Sequence, residues 1–210
     1  MVQPPSGHDG RRESQPAAIS RPRLRPHVTD AVLDAVLAEL AEVGYGRLTM
    51  EGVAQRAGSS KSTLYRRWSS KSAMALDAIT TVSQASIPGD DDGGDLLDHL
   101  LTVARGIHEW LTEPLVSRIV PDLIAEGVRS SSMARALIEH VAEPRRRTIR
   151  RILESARTRG DVRADADLEL ALDMLVGLIY WRACVLREEI GEDYLEKVAR
   201  VVHRDIATPA

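Results

Sequence analysis

Between Thr49 and Lys71 the chain gathers small hydroxyl and basic side chains at helical spacing: Thr49, Ser59, Ser60, Lys61, Ser62, Thr63, Tyr65, Arg66 and Lys71. Serine, threonine and lysine at the N-terminal face of a short helix can reach base edges and phosphate oxygens without holding that helix out of a groove. Phosphate contacts set register, and Tyr65 and Lys71, at the end of the helix and just beyond it, suit that task. The Thr49 hydroxyl, at the N-terminus of the preceding helix, faces phosphate with a favourable dipole. The chemistry on offer is recognition of double-stranded DNA.

Such residues work only if two short helices hold them. Met50, Val53, Ala54 and Ala57 supply the inward face of a helix capped by Thr49, Gly58 closes it, and Ser60 caps the next, over roughly Ser60 to Trp68, with Leu64 inward. Ahead of them, Val32, Val36, Leu40 and Val43 recur at steps of three to four, predicting a helix from Val28 with Thr29 as its cap and Gly44 and Gly46 at its end. Ser70 caps a fourth helix running to about Ser83. Three helices with a tight turn between the last two are the layout of a helix-turn-helix, over residues 27–74.

Residues 48–74 resemble the TetR (tetracycline-repressor-like) family of bacterial transcription regulators. The resemblance rests on Leu48-Thr49, Val53-Ala54, Ala57-Gly58, Ser60-Lys61, Thr63-Leu64-Tyr65, Trp68 and Ser70-Lys71, and covers about residues 28–75. It implies phosphate contacts by Thr49, Tyr65 and Lys71 and base readout from Ser59 to Thr63. Three departures stand out. Ser59 replaces a usually apolar residue, Ser62 a frequent glycine and Ser72 a frequent acidic residue, so base preference does not carry over.

Charge distribution agrees with a DNA-binding head. The net charge is −3, yet residues 1–86 carry 11 Lys/Arg against 8 Asp/Glu, and the remainder 17 against 23. A basic head on an acidic body meets phosphate at one end only. Residues 1–26, rich in Pro, Ser, Gly and Arg, read as a disordered basic arm; Arg21, Arg23 and Arg25 suit either DNA contact or a solvated tail.

Beyond the acidic loop Gly89 to Gly94, apolar periodicity predicts helices over about 95–112, 115–127, 131–158, 166–188 and 191–206. Aromatic content of 3% without Phe favours helices over strands. The expected architecture is all-α: the N-terminal three-helix DNA-binding domain, then a C-terminal helical bundle over residues 75–210 for ligand binding and dimerisation.

The segment Leu168 to Leu186 is apolar nearly all round, and the last helix carries a narrower stripe. We expect these two helices to form an isologous homodimer interface through Leu172, Leu175, Val176, Ile179, Leu195, Val198 and Val202. Ile107, His108, Trp110, Arg118, Met133, Leu137, His140, Tyr180, Trp181 and Cys184 are candidates for a small-molecule pocket, although each also suits core or surface. Arg145, Arg146, Arg147, Arg150 and Arg151 sit near Glu139, Glu143 and Glu154, which favours intramolecular ion pairs over a second nucleic-acid site.

Other function classes lack their motifs. There is no Gly-rich phosphate loop, no nucleophile elbow and no close spacing among His8, His27, His99, His108, His140 and His203, so no enzyme, metal or cofactor is expected. Cys184 alone forms no disulfide framework. Glu169, Asp173 and Arg182 within the most apolar segment argue against a membrane span, leaving a cytoplasmic protein. The expected function is a homodimeric repressor, its partners a pseudo-palindromic operator, a small-molecule effector and a second copy. An activator of the same fold, or a helical adaptor without DNA binding, remain open.

Overall fold

The computed structural model describes residues 26–85 and 94–209. Most of the arm over residues 1–26 and most of the acidic loop lie outside the described residues.

Val32, Leu33, Val36, Leu37 and Leu40 are all buried along one side of α1 (Pro26–Arg47), as their spacing requires. The helix starts earlier than expected, with Pro26 in its first turn, so Thr29 lies inside it and not at its cap. Gly44, at φ 75, kinks the end, a conformation that disfavours any side chain. Next come α2 (Met50–Arg56), α3 (Lys61–Arg67) and α4 (Lys71–Ala85). α1 packs on α4 and on α6 (Val116–Arg129).

The head therefore has no separate core. Val36, Leu64, Met74 and Ile79 join Val116, Ile119 and Leu123 of α6 in one continuous cluster, which crosses the expected division at residue 74. A second cluster unites α5 (Leu96–Thr112), α8 (Glu143–Arg159), α9 (Leu168–Tyr180) and α10 (Glu192–Ile206). α7 (Ser131–Leu137) packs on α6 and places Met133 in the first cluster.

The long helix expected over 131–158 is interrupted by a π-helical turn, Ile138–Ala142, and the one expected over 166–188 ends in another, Trp181–Leu186. Pro144 follows the first turn at the start of α8, where its missing N–H costs little. Gly160 closes α8 in the left-handed region. Among the described residues the architecture is all-α, apart from one antiparallel bridge, Val162 with Ala207, that ties the α8–α9 loop to the chain end.

Candidate nucleic-acid interface and ligand cavity

The turn between α2 and α3 is built by local chemistry. Thr49 accepts from the Gly52 N–H at 3.0 Å and Ser60 from the Thr63 N–H at 3.2 Å, satisfying helix donors that would otherwise be orphaned. Gly58 turns the chain at φ 59. Leu64 is completely buried, so the rest of α3 is turned outward. Lys61, Ser62, Tyr65 and Arg66 are exposed, while Ser59 and Thr63 are half-buried.

The hydroxyls form a local chain: Ser60 Oγ contacts Ser62 Oγ at 2.9 Å and Thr63 Oγ1 at 2.8 Å. Ser60 is thus a cap first, with its remaining capacity facing outward. Lys61 reaches Glu51 at 3.2 Å, but both groups are more than half exposed and the pair is weak in water. Lys71 is held more firmly. Its ammonium donates to the carbonyls of Tyr45 (3.1 Å) and Gly46 (3.4 Å) and lies 4.6 Å from the Tyr45 ring centre. It joins the start of α4 to the end of α1 and keeps one N–H for a further acceptor.

Polar contacts flank the apolar junction to the body. The Tyr45 N–H donates to Asp122 of α6, and Tyr45 Oη pairs with Ser72 Oγ. Trp68 Nε1 donates to Asp77 at 2.9 Å, fixing the exit of α3 against α4.

In the body, a cavity of about 290 Å³ opens between α5, α6, the π-helical turn after α7, α8 and α9. Four of the ten pocket candidates, Ile107, Trp110, Leu137 and Tyr180, line it. The other six pocket candidates do not. Met133 is buried in the cluster that the head shares with α6, Cys184 packs on the second cluster, and His108, Arg118, His140 and Trp181 are not among the lining residues, Trp181 at 57% exposure. Trp181 and Cys184 lie in one π-helical turn and His140 in the other. The extra residue per turn rotates such side chains off the face that α-helical periodicity assigns them.

Sequence reasoning missed Leu111, Val120, Ile124, Ile138, Val141, Ala142, Arg145, Arg146 and Ile149, and took Val176, also part of the wall, for an interface residue. The arginine run divides its labour. Arg146 bridges to Asp173 (2.6 Å) and Glu169 (2.7 Å), and Arg150 to Glu169 (2.5 Å) and Glu143 (3.5 Å). These ion pairs span α8 and α9 more than they run along α8. Arg145 instead stacks 3.9 Å from the Trp110 ring centre, and loss of water there pulls its guanidinium down to about 10.

The expected interface residues need correction. Leu172, Leu175, Ile179, Leu195, Val198 and Val202 are at most 3% exposed, having met the body's own core, so no surface remains on them for a partner. The apolar side chains left outside on the same stretch are Leu170, Leu178, Trp181, Val185, Leu186 and Val201.

Residues 32–78 match the family description "Bacterial regulatory proteins, tetR family", and residues 90–202 match "Tetracyclin repressor-like, C-terminal domain". The chain belongs to the TetR family. It is 30% identical to the DNA-binding transcriptional repressor TetR of Mycobacteroides abscessus, over 72% of this chain and 80% of that one. It is 28% identical to the helix-turn-helix-type transcriptional regulator YdeS of Bacillus subtilis, covering 79% and 82%. The crystal structure of a TetR transcriptional regulator from Agrobacterium tumefaciens superposes with a TM-score of 0.71 at 27% identity, covering 88% of this chain and 96% of that one. The protein is a TetR-family helix-turn-helix transcriptional regulator, a family of regulators and not of enzymes. No helix among the described residues is long and apolar enough to cross a membrane.

Proposed function

We propose that this TetR-family regulator is a cytoplasmic homodimeric repressor, released from a pseudo-palindromic operator when a small molecule enters the cavity of its body. The observation that carries the DNA-binding part is the outward N-terminal face of α3, where Lys61, Ser62 and Tyr65 project from a helix anchored by one buried leucine. Thr49, Ser59, Thr63, Arg66 and Lys71 surround that face, in position for phosphate and base contacts. The relative named as a repressor supports the sign of regulation.

A second copy accounts for the exposed apolar stripe. Leu170, Leu178, Trp181 and Val185 recur along one side of α9 and the π-helical turn, with Val201 on α10, a surface that water covers poorly. Two copies joined there present two heads to half-sites about one helical turn, roughly 34–36 Å, apart or a multiple of it. Occupation of the cavity favours a head spacing that mismatches them, and coupling of about 1–3 kcal/mol lowers DNA affinity roughly 5–150-fold.

The test is fluorescence anisotropy of a labelled duplex from the gene's own upstream region, with a salt series. The expected result is tight, salt-sensitive binding by two protomers per duplex. Failure to bind that DNA or any selected sequence in a salt-dependent way defeats the reading; one protomer per duplex defeats the dimer.

A further inference from the structure

The wall of the cavity is apolar except for a corner formed by Arg145 and Trp110, the Tyr180 phenol and Arg146. Arg145 lies over Trp110, the Trp110 Nε1–H is buried with no hydrogen-bond partner among the described residues, and Tyr180, its phenol pushed up by loss of water, lines the wall from α9. No acidic side chain is among the described residues lining the cavity. The second lining arginine, Arg146, is ion-paired with Asp173 and Glu169. What the corner offers an incoming molecule is positive charge and N–H donors, set against an otherwise hydrocarbon surface.

We propose that the effector is an amphipathic organic acid, whose carboxylate meets the Arg145 guanidinium beside Trp110 and whose apolar body fills the space toward Ile124 and Ile138; this rests on the ligand-release reading above. A cation held in an apolar wall has already lost much of its water in folding, so an anion recovers strong charge-assisted hydrogen bonds that a neutral isostere does not. A volume of about 290 Å³ sits at the small end for organic ligands, which suits an aromatic or medium-chain acid.

The same arginine makes the acid a signal. Arg145 Nη2 donates to the Ser83 carbonyl at 2.8 Å. Ser83 lies in the last turn of α4, whose carbonyls have no partner within the helix and favour a cation nearby. α4 begins at Lys71, at the exit of the DNA-reading helix. A carboxylate on Arg145 competes with that carbonyl and loosens the far end of the helix that carries the head.

Calorimetric titration of the full wild-type chain with cinnamate and with cinnamamide, its uncharged isostere, tests the inference. Cinnamate is expected to bind about tenfold more tightly, and to release the labelled upstream duplex at correspondingly lower concentration. In Arg145→Gln the preference for the acid disappears, and Arg145→Lys restores part of it. Equal or tighter binding of the amide to the wild type overturns the acid class, and that comparison holds even if Arg145→Gln fails to fold. So does an absence of binding across benzoate, cinnamate and octanoate at millimolar concentration. If the amide binds and releases DNA as well as the acid, ligand release stands and only the acid is wrong. If acid and amide both bind and neither disturbs DNA, the release reading itself fails.

Discussion

The head and the body use arginine and lysine in opposite ways. Around α3 the cations stand in water beside hydroxyls, with Lys61 and Arg66 exposed and only weak local pairing. In the cavity wall Arg145 has given up water and rests on an indole. An exposed cation loses little hydration when it meets a phosphate and gains by releasing counterions, so it suits a long, repetitive polyanion. A desolvated cation discriminates strongly between charged and neutral partners, because one restores what folding removed and the other does not. The proposed function thus gives one chain a salt-sensitive sensor of polymer charge and a shape-limited sensor of small molecules.

The contrast is sharpest where stability and recognition are pulled apart. Leu64→Ala opens a cavity under α3 and is expected to cost about 2–5 kcal/mol, taking DNA binding with it; thermal unfolding and anisotropy measured together check this. A stable Leu64→Ala protein would mean that the head does not depend on the core it shares with α6. Tyr65→Ala, in contrast, removes a side chain that is 51% exposed. DNA affinity should fall by about tenfold while the unfolding midpoint hardly moves. Unchanged affinity would remove Tyr65 from the interface.

The smallest effect belongs to the α8–α9 clasp. Hydrogen bonds from Arg150, then Arg146, pull the Glu169 carboxyl from its ordinary 4.5 to about 2. A depressed carboxylate stabilises the fold above its unfolded value, and that contribution is lost as pH falls from about 4.5 through about 2. Glu169→Gln should therefore lower the unfolding midpoint slightly at neutral pH, because the group is half exposed and screened, and by progressively less as pH falls toward about 2. A shift of equal size at both pH values would break that assignment.

The head was legible in the sequence because its geometry is set locally. Thr49, Gly58, Ser60 and Leu64 fall within a short span, and each names its own role by its chemistry. The expected helix cap at Thr29 was wrong for an equally local reason, since Pro26 can occupy a first helical turn. The cavity was half legible. Trp110, Ile107, Leu137 and Tyr180 were found by type, but a segment apolar all round its middle does not reveal which side meets its own bundle. Leu172, Leu175 and Ile179 therefore looked like partner surface when they were core. The π-helical turns displaced His140, Trp181 and Cys184, because nothing in Ile138–Ala142 or Trp181–Leu186 announces a change of period. Arg145 was concealed by company, lying in a run whose other members do what charge runs ordinarily do.

The chain has three tryptophans, and the fold distributes them one to a task. Trp68 is buried against Asp77 behind the DNA-reading helix, Trp110 forms a wall of the cavity, and Trp181 stands on the stripe assigned to the second copy. With no Phe and only four Tyr, little else in the chain absorbs or emits in the near ultraviolet. Three single-indole variants, two tryptophans replaced in each, would give three optical channels from one protein. The operator capture, effector entry and subunit exchange of the proposed function could then be timed separately by intrinsic emission, without attaching a dye.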